Sequence, residues 1–544
     1  MIGEMLPVTT PEEAASYRKA GLWRDETLFG RFEAAARAHP SKVAIRLKDQ
    51  QLTYSEFRAR VVKLANGFRR AGIVKGEIVA LQAPTCVEQP MIHLALSAIG
   101  AVYLPLQNSF QETEIAHLID RSRAVAAIFA DTTPGRERTR IYREKSPQLR
   151  HMWIFGENFS ELEDGEASEL ALTPAETPQP DDIAHLILSS GTTAMPKISV
   201  FTHNNILAMM DAFGDMIHIA STDVAAALAP TGTGATGYVF PVLPPLLAGG
   251  TCVLLEKWGD PADAVRLLIE NECTYATAIP TQMVVMMPAI EAAPEGSFEK
   301  FRAFNNAGAA LPQPVAQKLE KLMGCRVQSI YGSSDGGVPC MVSIDDPADK
   351  RTSTVGRTLP GRRVEFRNAA GEAVEPGEVG EICWTSPDKS YGYLNDMPGS
   401  TAAFDEDGMY RSGDLARMDM DGFISIVGRV KDMILRGGQN ISPRLIEDLL
   451  ITHEAIAEVA VAGMPDPRLG ERACAFVVLK PGKSLTLQDA VAFLEEKKIA
   501  KWQWPERLEI MSELPRSAGD KYAKNKLTEY VIGQLNEQEQ QISG

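Results

Sequence analysis

Between residues 50 and 130 the chain alternates between two hydrophobic periods, and that alternation leaves few folds open. Thr53-Tyr54-Ser55-Glu56 reads as a helix capping box, in which hydroxyl and carboxylate each accept a backbone N–H at the helix start. Phe57, Val61, Leu64, Ala65 and Phe68 then share one face at helical spacing. Ile78 to Gln82 has strand character, Ile92 to Ile99 reads as helix, Ala101 to Leu106 as a strand closed by Pro105, and Val125 to Ala130 as a further strand. Helices with one apolar face, set between short apolar runs, bury those faces by packing in layers on a sheet, so this part is expected to be an α/β domain.

The pattern resumes after a break. Glu161 to Asp182 is acidic, then rich in proline (Pro174, Pro178, Pro180), and reads as a surface loop between two α/β halves. An apolar run from Ile183 to Leu188 opens the second half, with further strands expected at Ala225–Leu228, Thr251–Leu255, Tyr275–Ile279 and Val327–Ile330. From Thr354 to Ile426, glycines punctuate short extended runs, which points to a small β-rich subdomain. After Arg429 the texture mixes again: helix at Pro443–Leu450, strands at Glu458–Ala462 and Cys474–Leu479, helix at Leu487–Lys498, and a frayed end from Asn536 to Gly544. The fold class expected is α/β. A large N-terminal domain (residues 1–431, with parts near 1–175, 176–345 and 346–428) would hold two layered α/β subdomains and the β-rich piece. A small α+β domain would follow at 432–544.

With 544 residues the chain is too long for one core. A net charge of −16 argues against a general nucleic-acid binder, which needs a basic face, and against anionic membrane surfaces. An anionic ligand would need a local positive site. Seven scattered cysteines without a Cys-x-x-Cys pair fit reduced thiols in a cytoplasmic protein. Met1 to Glu13 lacks the basic start and apolar centre of a signal peptide, and Val239 to Leu247, the most apolar segment, is short and interrupted by Pro241, Pro244 and Pro245.

Two stretches carry the chemistry. The first is Leu188-Ser189-Ser190-Gly191-Thr192-Thr193-Ala194-Met195-Pro196-Lys197. Small residues let successive backbone N–H groups converge on an anion, hydroxyls add donors, and the lysine adds a mobile charge, so the stretch reads as a polyphosphate cradle. It lacks the spacing of the common nucleotide P-loop. The second is Tyr331-Gly332-Ser333-Ser334-Asp335-Gly336-Gly337, where an aromatic ring could stack on a purine and a carboxylate could hold Mg²⁺. The same run spells Gly-x-Ser-x-Gly, but Val338 to Val342 reads extended where a hydrolase elbow needs a helix. A Gly-x-Gly-x-x-Gly at Gly232–Gly237 is discounted as a dinucleotide site, because Pro230 precedes it and prolines spoil a regular helix after it.

The cradle resembles the phosphate loop of the adenylate-forming superfamily (acyl-CoA synthetases, aryl-acid adenylating enzymes, luciferases), with Ala194 and Ile198 where that loop has glycines. Tyr331 to Asp335 resembles the family's Tyr-Gly-x-Thr-Glu, Asn306 to Ala310 its adenine-side segment, Ser412-Gly413-Asp414 with Gly428-Arg429-Val430-Lys431-Asp432 its ribose and hinge motifs, and Leu514 to Lys521 its C-terminal lysine segment, with Asp520 replacing glycine. Order and spacing agree across nearly the whole chain, most closely with stand-alone aryl-acid AMP ligases and aryl- or cyclic-acid CoA ligases.

The resemblance implies an ATP-dependent acid–CoA ligase acting through an acyl-adenylate, on an aromatic or cyclic acid. Ser189, Ser190, Gly191, Thr192, Thr193 and Lys197 would hold phosphates. Gly308, Ala309, Ala310, Tyr331 and Gly332 would border the adenine, and Asp414 and Arg429 the ribose. Asp335 would hold Mg²⁺ beside Ser334, and Lys521 would act in adenylation. Thr231, Gly232, Tyr238, Ala307, Gly336 and Gly337 are the acid-pocket candidates. No charged residue lies between Pro230 and Pro241, which argues for a plain carboxylic acid without an ammonium group. Lys431 marks the hinge of a mobile C-terminal domain, and Gly437 and Gly438 the path of the thiol, from coenzyme A or, alternatively, from the pantetheine of an acyl or aryl carrier protein. A monomer or homodimer is expected. A different class, a degenerate ATP-binding regulatory protein, is the remaining alternative.

Overall fold

The computed structural model describes residues 8–164, 169–189, 195–232, 234–437, 439–516 and 522–543. The chain divides into two compact units: Met1–Val364 with Trp384–Arg411, and Glu365–Cys383 with Ser412–Gly544.

The first unit is built on two sheets. Thr53 caps the Tyr54–Arg70 helix as expected: its hydroxyl accepts from Glu56 N–H while Glu56 Oε2 accepts from Thr53 N–H at 2.8 Å. Phe57, Val61, Leu64, Ala65 and Phe68 are all fully buried. At about 1.5–3 kcal/mol for each large apolar side chain removed from water, that face anchors the layer.

One sheet has six strands, in the order His151–Ile154, Ala126–Phe129, Ile78–Gln82, Val102–Leu106, Ile183–Leu188, Ile198–Thr202. All neighbours are parallel except the last pair, which forms an antiparallel hairpin. Pro105 does not close its strand but lies inside it, in register with Leu81. The other sheet has nine strands, and its central six run parallel: Arg326–Ser333, Ala303–Asn306, Tyr275–Ala278, Val224–Ala227, Thr251–Leu254 and Val43–Leu47.

The expected halves, 1–175 and 176–345, therefore interleave. Val43–Leu47 and Gln50–Thr53 join the nine-stranded sheet, and the strand Ile183–Leu188, expected to open the second half, pairs with Ile198–Thr202 and completes the six-stranded one. The prolines after Gly237 do not prevent a helix. A single wide turn, Ala235–Val239, leads into helix Leu243–Ala248, with Pro244 and Pro245 in its first turn, where a missing N–H breaks no helical bond.

The second unit gathers most of a four-stranded sheet (Arg363–Arg367, Gly380–Thr385, Tyr410–Met418, Ile424–Arg429) and a five-stranded one around Ile456–Asp466 and Gly470–Leu479. Much of the β-rich piece thus belongs with the C-terminal residues. The end expected to fray continues the last helix, Lys524–Ser543. All seven cysteines are free thiols. Among the described residues no helix is long and apolar enough to cross a membrane.

Candidate active site

The parallel strands of both sheets in the first unit deliver their C-terminal ends to the loops that carry the expected chemistry, which is where open α/β sheets hold ligands. Ile183–Leu188 runs into the cradle. Its neck is closed by Ser189 N–H donating to Lys197 O at 3.0 Å and by Lys197 N–H donating to the Ser189 hydroxyl at 3.3 Å. Lys197 Nζ lies 4.3 Å from the centre of the Tyr393 ring, a cation–π contact that holds the ammonium at the mouth of the loop. Ser190, Gly191, Thr192 and Thr193, expected in the cradle, lie outside the described residues, as do Gly438 and Lys521.

Strand Arg326–Ser333 turns at 334–336 into the antiparallel strand Gly337–Met341. The extended segment after Ser334 removes the hydrolase reading, since no helix follows the serine. Gly332 is forced by packing: a Cβ there would lie 2.5 Å from Gly337 O. The Tyr331 ring lies edge-on to Trp384, with ring centres 5.9 Å apart.

Asp335 is buried and its carboxylate is surrounded by hydroxyls. Ser199 donates to Oδ1 at 2.7 Å and Tyr410 to Oδ2 at 3.3 Å, and Tyr393 supplies a third hydroxyl. Burial pushes the carboxyl above the ordinary carboxylate range, while these donors and the Lys197 charge pull it back. Three hydroxyls already engage the carboxylate, so Asp335 is held here as a brace, and a Mg²⁺ ion arriving with ATP would have to compete with them for its oxygens. Ser334, beside it, is half-buried.

The acid-pocket candidates separate into two groups. Gly336 and Gly337 face packed protein rather than open space. A Cβ on Gly336 would fall 2.4 Å from the Tyr410 ring, and one on Gly337 would fall 2.5 Å from Asp388 O. Both glycines are needed to let the turn carry Asp335 against its partners. Thr231, Gly232 and Tyr238 share one loop, and Gly308, next to Ala307, lies against its Thr236. The 231–238 loop packs against Leu106 O, against Ile187 of the strand that feeds the cradle, and, through Thr236, against Gly308. Thr231, Tyr238 and Ala307 are all buried. Gly308, Ala309 and Ala310 follow strand Ala303–Asn306 as an exposed turn, with Asn306 Nδ2 donating to Ala309 O at 3.1 Å.

Four residues behind this loop were not singled out from the sequence: Gln89, His93, Tyr103 and His185, all buried. His93, Tyr103 and His185 sit in apolar runs and read locally as core, while Gln89 stands beside Glu88 and Pro90 with no motif around it. Ser199, Tyr393 and Tyr410 carry no local signal either; only their distance from Asp335 in the fold reveals them.

In the second unit, Asp414 and Arg429 are cross-strand partners, joined by an Arg429 Nε to Asp414 Oδ1 bond of 2.7 Å. Ser412 steadies the turn by donating to Ile382 O at 2.6 Å and accepting from Asp414 N–H at 2.9 Å. Lys431 is exposed in the short turn Val430–Asp432, and Gly437 has a φ of +57°, in the left-handed region that suits glycine.

Comparison with known proteins agrees with this layout. The AMP-binding enzyme family profile matches residues 32–394, and that of the AMP-binding enzyme C-terminal domain matches residues 445–521. A medium-chain fatty-acid–CoA ligase of Escherichia coli is 34% identical over 537 residues, covering 97% of this chain and 94% of its own. A 2,3-dihydroxybenzoate–AMP ligase of Bacillus subtilis is 29% identical, with 98% and 99% covered. The anthranilate–CoA ligase AuaEII, solved with anthranoyl-AMP, superposes with a TM-score of 0.84 at 22% identity over 92% of this chain and 96% of its own. The chain belongs to the AMP-binding, adenylate-forming family of enzymes.

Proposed function

We propose that the protein is an ATP-dependent carboxylic acid–CoA ligase that works through an acyl-adenylate, on an apolar acid of the aromatic or cyclic kind. The observation that carries this reading is the hairpin of Ile183–Leu188 and Ile198–Thr202, whose neck is tied by Ser189 and Lys197 and whose lysine is held over Tyr393. In the first half-reaction the acid's carboxylate attacks the α-phosphorus of ATP, and pyrophosphate leaves. Positioning and charge neutralisation supply most of the catalysis. Lys197 and the cradle residues 189–193 neutralise the β- and γ-phosphates, Asp414 and Arg429 hold the ribose, and Lys521 meets the charge developing at the α-phosphate. ATP brings its own Mg²⁺, held by its phosphates.

In the second half-reaction the residues from about 432 onward turn about Lys431, Lys521 withdraws, and a thiol reaches the adenylate past Gly437 and Gly438. That thiol attacks the acyl carbon and AMP leaves. The acceptor is coenzyme A. The relatives include AMP ligases that serve aryl acids, so a carrier-protein pantetheine is the second reading.

The test is carboxylate-dependent ATP–pyrophosphate exchange across aryl, alicyclic and straight-chain acids, with wild type and Lys521→Ala. Exchange with one acid class, lost in the variant, is expected; thioester formation on adding free coenzyme A then separates the two acceptors. ATP binding without exchange for any acid would point instead to a degenerate nucleotide-binding protein.

A further inference from the structure

Gln89 and His93 stand one turn apart on helix Glu88–Ala98, and each takes one end of the 231–238 loop. Gln89 spends its whole amide there. Its Nε2 donates to Thr231 O at 2.9 Å and to the Tyr103 hydroxyl at 3.0 Å, and its Oε1 accepts from the Thr231 hydroxyl. His93 Nδ1 lies 3.0 Å from the Tyr238 hydroxyl, and its Nε2 lies 3.2 Å from His185 Nδ1. Tyr103 stacks on the His93 ring with centres 4.5 Å apart.

The protons of this chain can be placed. If Tyr238 donates to His93, then His93 donates to His185, and one buried group, His185 Nε2, is left without a partner among the described residues. If the direction is reversed, the Tyr238 O–H is orphaned as well. Each unpaired buried polar group is costly, so Tyr238 is the donor and both imidazoles are neutral.

We infer that Gln89 and His93 are positioning residues that set acid selectivity, by holding Thr231 and Tyr238 with their polar atoms turned toward the helix and away from the acid. This rests on the reading above, in which the 231–238 loop borders the acid. It deepens that reading. The Thr231 and Tyr238 hydroxyls are engaged by Gln89 and His93, so a hydroxylated or aminated acid finds no partner on either of these two side chains. A hydrocarbon acid loses nothing on entering.

The test compares kcat/KM in pyrophosphate exchange for benzoic, cyclohexanecarboxylic, hexanoic, octanoic and hydroxylated benzoic acids, with wild type, Tyr238→Phe, His93→Gln and His93→Ala. Tyr238→Phe keeps the ring and should fold. Releasing either tie should shift the ratio between hydrocarbon acids of different size, and between hydrocarbon and hydroxylated acids, by about tenfold, comparable to one buried hydrogen bond. The shift should appear in KM for the acid, with KM for ATP unchanged, and His93→Gln, which keeps a polar tie, should restore the wild-type order relative to His93→Ala. An unchanged order of acids in Tyr238→Phe and His93→Ala, with all activities falling together, overturns the inference while leaving the ligase reading standing. A wild type that exchanges with no acid overturns the ligase reading, and this inference with it.

Discussion

Ser199 donates a 2.7 Å hydrogen bond to Asp335 Oδ1 and so ties the strand leaving the phosphate loop to the turn that ends strand Arg326–Ser333. Ser199 lies in the six-stranded sheet and Asp335 in a turn between two strands of the nine-stranded one. The bond is closed to water, since Ser199 is fully buried and Asp335 is 8% exposed. It makes Asp335 a brace for the loop lysine, because the same carboxylate also binds Tyr393, the ring beneath Lys197.

A brace and a metal ligand fail differently. Asp335→Asn keeps one acceptor but sets an amide donor against hydroxyl donors, so it should lower stability by about 1–3 kcal/mol. The Mg²⁺ concentration needed for half-maximal pyrophosphate exchange should stay within twofold of wild type. A tenfold rise in that requirement would restore Asp335 as a direct ligand. Ser199→Ala should cost roughly 1.5–3 kcal/mol, the value of a bond to a charged group, and raise KM for ATP through the displaced Tyr393 and Lys197.

Three buried histidines give the first unit an acid limit. Burial pushes His93 well below its ordinary value, His185 down to about 3 and His203 down to about 4. An unfolded histidine titrates near pH 6.5, so between roughly pH 4 and 6.5 the unfolded chain binds protons that the folded one refuses. Stability contributed by these groups is therefore complete above about pH 6.5 and is lost on acidification, at about 1.4 kcal/mol per pH unit for each histidine. Urea midpoints measured from pH 7 to 4.5 should fall steeply for wild type and less steeply for His203→Asn. Parallel slopes would mean that His203 is already protonated in the native state.

Much of this was readable in the chain, and the reason is locality. The helix capped by Thr53 and Glu56, and the strand at Ile78–Gln82, rest on residues close in sequence. So does the strand Ile183–Leu188 that leads into the phosphate loop. What could not be read is what depends on distant partners. The strands Val43–Leu47, Gln50–Thr53 and Ile198–Thr202 were not read, and Ile183–Leu188 was assigned to the second half, because strand pairing across more than a hundred residues leaves no local period. Gly336 looked like pocket lining because glycine marks close approach without saying to what; the answer is Tyr410 and Trp384. His93 and His185, single imidazoles in apolar runs, carry no signal until the fold stacks them.

The tightness behind Asp335 is itself testable. Gly336 O accepts from Trp384 Nε1 at 2.7 Å and from the Ser386 hydroxyl at 3.1 Å, while its missing side chain leaves room for the Tyr410 ring. Gly336→Ala must push that ring away, which should cost about 1–3 kcal/mol by overpacking and loosen the Tyr410 bond to Asp335.

Close by, Arg362 and Asp388 form an ion pair at 2.9 Å with side chains 1% and 0% exposed, and Asp388 Oδ2 also accepts from Val338 N–H at 2.9 Å. Removing one partner strands a charge away from water, so Arg362→Met alone should destabilise by about 3–5 kcal/mol. Arg362→Met combined with Asp388→Asn leaves no unpaired charge and should recover a large part of that loss. Thermal unfolding of both variants separates the two outcomes: equal destabilisation would show that the pair acts through its backbone bonds to Val338 rather than through its charges.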